Sequence, residues 1–408
     1  MEKELIPQLR FSEFSKNWEI KDIKNIAKVV GGGTPSTTEK EYWNGNINWF
    51  TPTEIKFDIV SESKRKITDL GLKKSSATLL PKGAILLTTR ATIGEMAIAQ
   101  EECTTNQGFQ SLVVNKNNSN QFVFDLIKVH RKELYKRANG STFKEISKKE
   151  VEKIKVLIPK LPEQQKIAAF LTDVDEKITK LTKKKNLLEE YKKGIMQKIF
   201  NQELRFKDDE GNDFPEWEEK KLNEIGEFKN GINKSKNDFG KGYPFVNLMD
   251  VFGKSTVSNQ DLGLVNANIK ELQFYNLKKG DILFIRSSVK REGVGQTSLL
   301  LYDLDKTVYS GFLIRFRFKF EIDLYFKKYC FNTSSFRNRL LAKSTTSANT
   351  NINQESLSTL FISIPSSIAE QTKIANFLSD IDLKIEALNT KIENSKTFKK
   401  GLLQKMFV

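Results

Sequence analysis

Residues 163–200 read EQQKIAAFLTDVDEKITKLTKKKNLLEEYKKGIMQKIF, and residues 370–407 read EQTKIANFLSDIDLKIEALNTKIENSKTFKKGLLQKMF. The two stretches are identical at 19 of 38 aligned positions, at a constant offset of 207 residues. No bias in composition produces identity of this kind, so the chain contains an internal duplication.

Both copies carry apolar residues at a helical spacing. In the first copy they recur every seven positions, at Ile167, Val174, Leu181, Leu188 and Ile195. The second copy repeats the spacing with one exception, at Ser395. Such a pattern predicts a coiled coil, and each helix would be roughly 57 Å long. Because two equal apolar stripes can bury each other, we expect an antiparallel pair, with two independent surface helices as the alternative.

The duplication extends beyond the helices. An LRF triplet at 9–11 and at 204–206 precedes a Trp-Glu pair at 18–19 and at 217–218. We therefore predict an N-terminal segment at 1–20 packing near the C-terminal helix, a first globular domain at 21–158, a long spacer helix at 159–203, a linker at 204–217, a second globular domain at 218–363 and a second long spacer helix at 364–408.

Strand and helix patterns alternate inside both globular segments. The stretches 84–88 and 282–285 predict strands behind Lys-Gly turns, 122–138 has helical spacing, and 151–158 alternates like a strand. Gly311-Phe312 is equated with Gly108-Phe109. The predicted fold class is α/β (α+β), with two pseudo-repeated globular domains separated by two long antiparallel helices that form a coiled-coil spacer.

The composition restricts the function. The formal net charge of +16 is typical of a protein that meets a polyanion, although charge that only maintains solubility is the alternative. The two cysteines, Cys103 and Cys330, lie in different halves, and the lone histidine is His130, so zinc sites of the usual spacings are not expected. The sequence shows no phosphate-binding GxxxxGK[ST] motif, signal-peptide core or long apolar run, and we expect a cytoplasmic protein without contact to a membrane.

As a set, these features resemble the specificity subunit of type I restriction–modification systems. The resemblance covers essentially the whole chain and rests on the duplicated helix, the LRF…WE segments, the GGGTPS loop at 31–36 and the NGSTFKEI stretch at 139–146. It implies that the two globular domains are target-recognition domains. It also implies a chain without a catalytic centre or cofactor that binds double-stranded DNA, two modification (methyltransferase) subunits and two restriction (endonuclease/translocase) subunits. S-adenosylmethionine, ATP and Mg²⁺ are then expected on the partner subunits.

The leading hypothesis is therefore DNA recognition at a bipartite, asymmetric target, to which the chain directs the adenine methyltransferase and endonuclease subunits. A stand-alone DNA-binding regulatory or architectural protein is the alternative, but the unlike loops of the two halves do not suit a palindromic operator. A solitary nuclease or methyltransferase is disfavoured because its motifs are missing.

Loop position and charge select candidate DNA contacts, with solvated turns and hairpin tips as the alternative interpretation. In the first domain they are Thr34, Ser36, Thr37, Arg90, Thr92, Asn106, Gln107, Gly140, Ser141 and Thr142. In the second domain they are Lys234, Lys236, Arg286, Ser287, Lys290, Arg291, Tyr309, Ser347 and Asn349. On the helices, the surplus apolar residues predict a docking surface for partner helices, with burial against their own globules as the alternative: Phe170, Leu171, Ile178, Phe377, Leu378 and Ile385.

Overall fold

A computed structural model of the chain describes residues 6–56, 58–140, 144–346 and 348–408. The chain divides into two compact units. Unit 1 comprises residues 1–182 and 390–408, and unit 2 comprises residues 183–389. Each unit contains part of both long helices, so the pairing of the helices can be followed inside each unit.

Unit 1 combines short strands with helices. Its strands are β1 (Glu19–Asp22), β2 (Ala27–Gly31), β3 (Trp43–Phe50), β4 (Ile59–Val60), β5 (Arg65–Ile67), β6 (Ile85–Leu87), β7 (Met96–Ala99), β8 (Cys103–Thr105), β9 (Gln110–Val114) and β10 (Lys155–Ile158). Its helices are α1 (Ile23–Ile26), α2 (Asp69–Lys73), α3 (Asn120–Val129), α4 (Arg131–Arg137), α5 (Lys148–Glu152) and the first part of α6 (Leu161–Phe200). Short 3₁₀ turns occur at Lys40–Tyr42 and Pro52–Glu54.

Unit 2 follows the same order. Its strands are β11 (Trp217–Lys221), β12 (Gly226–Asn230), β13 (Phe239–Val246), β14 (Gly263–Val265), β15 (Ile282–Ile285), β16 (Ser287–Ser288), β17 (Thr297–Leu299), β18 (Val308–Tyr309), β19 (Leu313–Phe318), β20 (Thr345–Thr346), β21 (Thr350–Asn351) and β22 (Phe361–Pro365). Its helices are α7 (Leu222–Ile225), α8 (Ile269–Phe274), α9 (Lys327–Cys330), α10 (Ser334–Lys343), α11 (Gln354–Ser358) and the first part of α12 (Ile368–Met406), with 3₁₀ turns at Lys236–Asp238, Leu248–Asp250 and Arg291–Gly293.

The sheets repeat from one unit to the other. In unit 1 the strand orders are β1-β10, β2-β9-β6-β7-β4 and β5-β3-β8, and in unit 2 they are β11-β22, β12-β19-β15-β17 and β14-β13-β18. The smaller pairings recur as well. Strand β4 pairs Ile59 with Ile98, and in unit 2 Thr256 forms the corresponding parallel bridge with Leu299. The small sheet β16-β21-β20 of unit 2 corresponds to the antiparallel bridges of Glu145 with Arg90 and Asn139 in unit 1. This common frame confirms the predicted pseudo-repeat, and it leaves the connecting loops free to differ.

The two long helices run antiparallel. In unit 1, Lys399 of α12 donates to Asp175 of α6 at 2.7 Å. In unit 2, Lys192 of α6 donates to Asp382 of α12 at 2.5 Å. The duplication offset of 207 converts one pair into the other, and apolar residues of both helices enter the core of each unit. The predicted antiparallel coiled-coil pair is therefore confirmed.

The two LRF segments make equivalent anchoring contacts. Arg10 donates to Glu163 at 2.7 and 2.8 Å, and Arg205 donates to Glu370 at 3.3 and 3.1 Å. Both glutamates are nearly fully buried, so each guanidinium compensates a carboxylate that would otherwise be costly to desolvate. In unit 1 this contact fixes the N-terminal segment, and there the backbone N–H of Leu9 also donates to the carbonyl of Lys405.

Two secondary-structure predictions are wrong in detail. The helical pattern over 122–138 is divided into α3 and α4 at His130, whose backbone closes α3 at φ −84° and ψ 10°. Residues 151 and 152 lie in α5 rather than in a strand, because Ser147 caps that helix by accepting from the N–H of Glu150. Among the described residues, no helix is long and apolar enough to cross a membrane.

Candidate nucleic-acid interface

Four loops of unit 1 are joined at one end of its sheets by backbone hydrogen bonds. The N–H of Gly33 donates to the carbonyl of Thr105 (2.8 Å), that of Thr89 to Gly108 (2.8 Å) and that of Ile146 to Thr89 (3.3 Å). We call the set loop cluster 1, and its described residues are 32–37, 89–92, 105–108, 139–140 and 144–146. Because each loop is bonded to the next, the cluster presents its side chains from a fixed backbone.

Unit 2 builds the equivalent set with the same bonds. The N–H of Ile232 donates to the carbonyl of Tyr309 (2.9 Å), that of Arg286 to Phe312 (2.8 Å) and that of Ile352 to Arg286 (2.9 Å). We call it loop cluster 2, with described residues 231–236, 286–291, 309–312, 345–346 and 348–352. The two units thus hold unlike loop sequences on one hydrogen-bonding scheme.

This scheme corrects one equivalence drawn from the sequence. Gly108 and Phe312 occupy the same place, because their carbonyls accept from the N–H groups of Thr89 and Arg286. The carbonyls of Thr89 and Arg286 accept in turn from the N–H groups of Ile146 and Ile352. Phe109 is therefore equivalent to Leu313, and both are fully buried. Equating Gly311-Phe312 with Gly108-Phe109 is wrong by one residue. The two Gly-Phe pairs were aligned because they are identical, although the preceding loops differ in length by one residue.

Most candidates of the first domain lie on the surface of loop cluster 1. Ser36, Thr37, Thr92, Gln107 and Gly140 are exposed. Their exposure agrees with the predicted contact with DNA, which stays a prediction for each of them.

Three other candidates already have partners inside loop cluster 1. The Thr34 hydroxyl donates to the side chain of Gln107 at 2.5 Å, and the Asn106 amide oxygen accepts from the N–H of Gly108 at 2.9 Å. Arg90 pairs with Glu145 at 2.8 Å, with its side chain 46% exposed. A base contact by Arg90 would therefore exchange the carboxylate of Glu145 for a guanine edge. The sequence pattern did not predict this ion pair.

Loop cluster 2 is the more cationic of the two. Lys236, Lys290 and Arg291 are exposed, and none of them forms an ion pair within the part of the chain that the structure describes. Arg286 and Ser287 are half-buried, and the Arg286 guanidinium donates to the carbonyl of Gly311 at 3.4 Å. Three unpaired cations on adjacent loops suit DNA phosphates.

Lys234 and Tyr309 are less suited to direct contact than the sequence suggested. The Lys234 ammonium lies 2.7 Å from Glu271 and its side chain is only 16% exposed, while its hydrogen bond holds the pKa of Glu271 below the usual value.

Tyr309 is fully buried and its hydroxyl donates to the carbonyl of Lys229 at 3.1 Å. Burial also raises the pKa of Tyr309, which keeps it neutral. Predicting a DNA contact for Tyr309 is wrong, because its ring supports the loop from inside.

Four candidates fall outside this description or at its margin. Ser141, Thr142 and Ser347 lie outside the described residues. Asn349 is exposed, and its carbonyl accepts from the Asn351 side chain at 3.0 Å. These four positions stay predictions.

The apolar helix candidates divide into buried and partly exposed groups. Leu171 and Leu378 are fully buried in the cores of units 1 and 2, so predicting a docking surface is wrong for them. Ile178 and Ile385 are partly exposed and remain candidates for a partner contact.

Phe170 and Phe377 are partly covered from within the chain. Phe170 packs edge-on against Phe11, with ring centroids 5.8 Å apart, and Phe377 packs in the same way against Phe206 at 5.6 Å. The phenylalanines of the two LRF segments therefore cover these positions, which the sequence assigned to a partner.

The groups that most often carry catalysis are arranged as structural residues. Cys103 and Cys330 are both buried, and burial raises the pKa of both, that of Cys103 to about 12. The ring of His130 is hydrogen-bonded to the carbonyl of Leu126 at 2.9 Å. In the described ranges, no group of three or more His, Cys, Asp or Glu side chains could hold a metal ion.

The fold and the two loop clusters belong to a known class of protein. The sequence model of the type I restriction modification DNA specificity domain matches this chain twice, at residues 15–190 and 215–395. The chain therefore belongs to that family, and it is a DNA specificity protein of the type I restriction–modification class. The predicted family and fold class are confirmed.

Curated relatives agree with this assignment. The MjaIX specificity subunit of Methanocaldococcus jannaschii is 32% identical over 289 residues, which cover 67% of this chain and 66% of the relative, just under two thirds of its length. The MjaVIII specificity subunit of the same organism is 27% identical over 402 residues, covering 95% of this chain and 91% of the relative. The EcoR124I/EcoR124II specificity subunit of Escherichia coli is 28% identical over 181 residues, covering 43% of this chain and 44% of the relative.

Solved structures share the fold over nearly the whole chain. The type I restriction–modification S subunit from M. genitalium matches with a TM-score of 0.57 and 15% identity, covering 99% of both chains. A chain from a study of complex assembly and conformational transition in a type I restriction–modification system matches with a TM-score of 0.60 and 16% identity, covering 95% of this chain and 96% of that one.

Proposed function

We propose that the chain is the DNA-recognition subunit of a type I restriction–modification complex, and that it reads a bipartite, asymmetric target. The observation that carries the proposal is the pair of loop clusters, which have one backbone scheme but different side chains. One cluster offers hydroxyl and amide groups together with Arg90, whereas the other offers Lys236, Lys290 and Arg291. Two unlike sets of side chains read two unlike sequences.

The proposal assigns recognition to domains at 21–158 and 218–363. Phosphate contacts from exposed lysines and arginines give affinity that decreases with salt, and contacts to base edges select the sequence. The excess of 67 Lys and Arg over 51 Asp and Glu supports a polyanionic ligand. We also propose that the protein acts in the cytoplasm, together with the modification and restriction subunits.

We further propose that catalysis belongs to partner subunits, two for modification and two for restriction. The long helices would provide the docking surface, since both carry apolar side chains that remain exposed to solvent. Tyr191 is 52% exposed, Phe398 at the equivalent position is 55% exposed and Leu383 is 63% exposed. Together with Ile178 and Ile385, these residues are better candidates for partner contact than the buried leucines.

The first experiment is methylation mapping. The chain is produced together with a type I modification subunit in a host that has no such system, and methylated adenines are located across the genome. We expect methylation at one sequence made of two unlike specific parts separated by a non-specific spacer. A chain that stays alone on purification and leaves the genome unmethylated would favour the stand-alone regulatory protein instead.

A matched pair of charge variants tests the assignment of loop cluster 2. Lys290→Gln removes an exposed cation from the cluster, and Lys279→Gln removes a likewise exposed one from the turn before β15, at the end of that strand opposite to Arg286. For Lys290→Gln we expect uniformly weaker DNA binding and a salt dependence lower by about one phosphate contact. Equal effects of the two variants would contradict the location of the interface.

A further inference from the structure

Loop cluster 2 displays a large aromatic ring to solvent. Phe312 is 57% exposed. Among the described residues of both loop clusters, only Phe312 and Val289 are large apolar side chains with such exposure. Single exposed apolar residues are common on protein surfaces, so exposure alone assigns no role to Phe312. What distinguishes Phe312 is that its ring is held at a fixed position between polar loops.

The backbone on both sides of the ring is held in place. The N–H of Phe312 donates to the Ser310 hydroxyl at 3.2 Å, and its carbonyl accepts from the N–H of Arg286 at 2.8 Å. The next residue, Leu313, begins β19 and is fully buried. Because little backbone freedom remains, a contact made by this ring requires little further ordering.

The surroundings of the ring are cationic. The guanidinium of Arg286 donates to the carbonyl of Gly311, the residue before Phe312, and the loop that follows Arg286 carries Lys290 and Arg291. Cations that hold phosphates bring base edges towards the loops. The apolar group that DNA bases present in the major groove is the 5-methyl group of thymine.

We propose that Phe312 contacts the 5-methyl group of a thymine in the part of the target that unit 2 reads, and that this contact makes thymine the preferred base at that position. The inference rests on the proposed function of DNA recognition and adds one base preference to it.

Unit 1 has no room for such a ring. At the equivalent position, a Cβ added to Gly108 would lie 2.8 Å from Cγ of Pro52 and 3.0 Å from the side-chain oxygen of Asn106. Even alanine would require these neighbours to move. The contact is therefore particular to unit 2, and its effect should be confined to one half of the target.

The experiment replaces thymines of the mapped target, one at a time, with deoxyuridine, which lacks only the methyl group. The chain is assayed with its modification subunits by equilibrium binding to these duplexes. At one thymine in one half of the target, we expect about fourfold weaker binding, the equivalent of burying one methyl group. For Phe312→Ala, duplexes with thymine and with deoxyuridine at that position should bind equally.

Two further variants separate recognition from folding. Phe320 lies beyond the opposite end of β19 and is 42% exposed, so Phe320→Ala should keep the full preference. Phe312→Leu keeps an apolar contact and should retain part of the preference. A preference that Phe312→Ala leaves intact would overturn the proposal, as would a wild-type complex indifferent to deoxyuridine at every thymine. In contrast, a wild-type chain that binds no specific sequence would contradict the proposed function itself.

Discussion

Asp125 gives the most direct quantitative test of the packing in unit 1. It lies on α3 and is fully buried, with one carboxylate oxygen accepting from the Gln121 amide at 3.2 Å. The other oxygen has no hydrogen-bond partner in the described part of the chain. Burial raises the pKa of Asp125 to about 6, although Gln121 and the charge of Lys399 partly oppose the shift.

The direction of the pH effect follows from this raised pKa. The folded state holds the proton more tightly than the unfolded chain, whose carboxyl has the ordinary value of 3.8. The stabilising effect of the protonated carboxyl is therefore complete below about pH 4 and is lost as the pH rises towards 6. The difference of about two pH units corresponds to about 3 kcal/mol of unfolding free energy.

Asp125→Asn removes this titration because the amide is neutral throughout. The unfolding free energy of the variant minus that of the wild type should therefore increase by about 3 kcal/mol as the pH rises from 4 to 8. Urea unfolding followed by tryptophan fluorescence measures it, since unit 1 contains Trp18, Trp43 and Trp49. The exposed Asp173, replaced by Asn, serves as the control and should show no such gain. A difference between Asp125→Asn and wild type that is the same at pH 5 and pH 8 would refute the reasoning.

Three further predictions concern a buried carboxylate, a candidate DNA contact and two helix glycines. Asp382 accepts from two lysines and a tyrosine hydroxyl, at 2.5 to 2.8 Å, whereas Asp175 has one lysine partner, so Asp382→Asn should cost about 1–3 kcal/mol more than Asp175→Asn in urea unfolding. Arg90→Ala should lower discrimination about tenfold in one half of the target only, and an equal loss for changes in either half, measured by competition binding, would make it a general phosphate contact. Gly194→Ala and Gly401→Ala place a methyl group where no atom lies within 4 Å, so each should stabilise the isolated chain by about 1 kcal/mol, and a lower melting temperature would contradict this.

The sequence predicted the frame because repetition and periodicity are local signals. The offset of 207 residues located both helices, and α6 and α12 begin and end within a few residues of the repeated stretches. The division of the helical pattern at His130 was not predictable in this way. It depends on one backbone conformation, φ −84° and ψ 10°, which the apolar spacing does not encode.

The candidate site was less predictable because tertiary contacts decide which side chains remain available. The sequence shows Lys234 and Arg90 as loop cations, but it does not show that Glu271 and Glu145 lie opposite them. Phe312 was overlooked because the sequence alignment equated it with Phe109, whereas its structural equivalent is Gly108. Hydrogen bonds between loops were needed to correct it.

The discontinuity of unit 1 has a consequence for biosynthesis. Unit 2 is one continuous stretch, whereas unit 1 takes its last part from residues 390–408. In its core, the ring of Phe407 lies 5.2 Å from that of Phe122, and Met406 is almost fully buried beside them. On the ribosome, the core of unit 1 therefore stays incomplete while the whole of unit 2 is translated, and during that time the apolar surface of Phe122 is open to proteolysis and aggregation. Although unit 1 is translated first, its core depends on residues that follow all of unit 2.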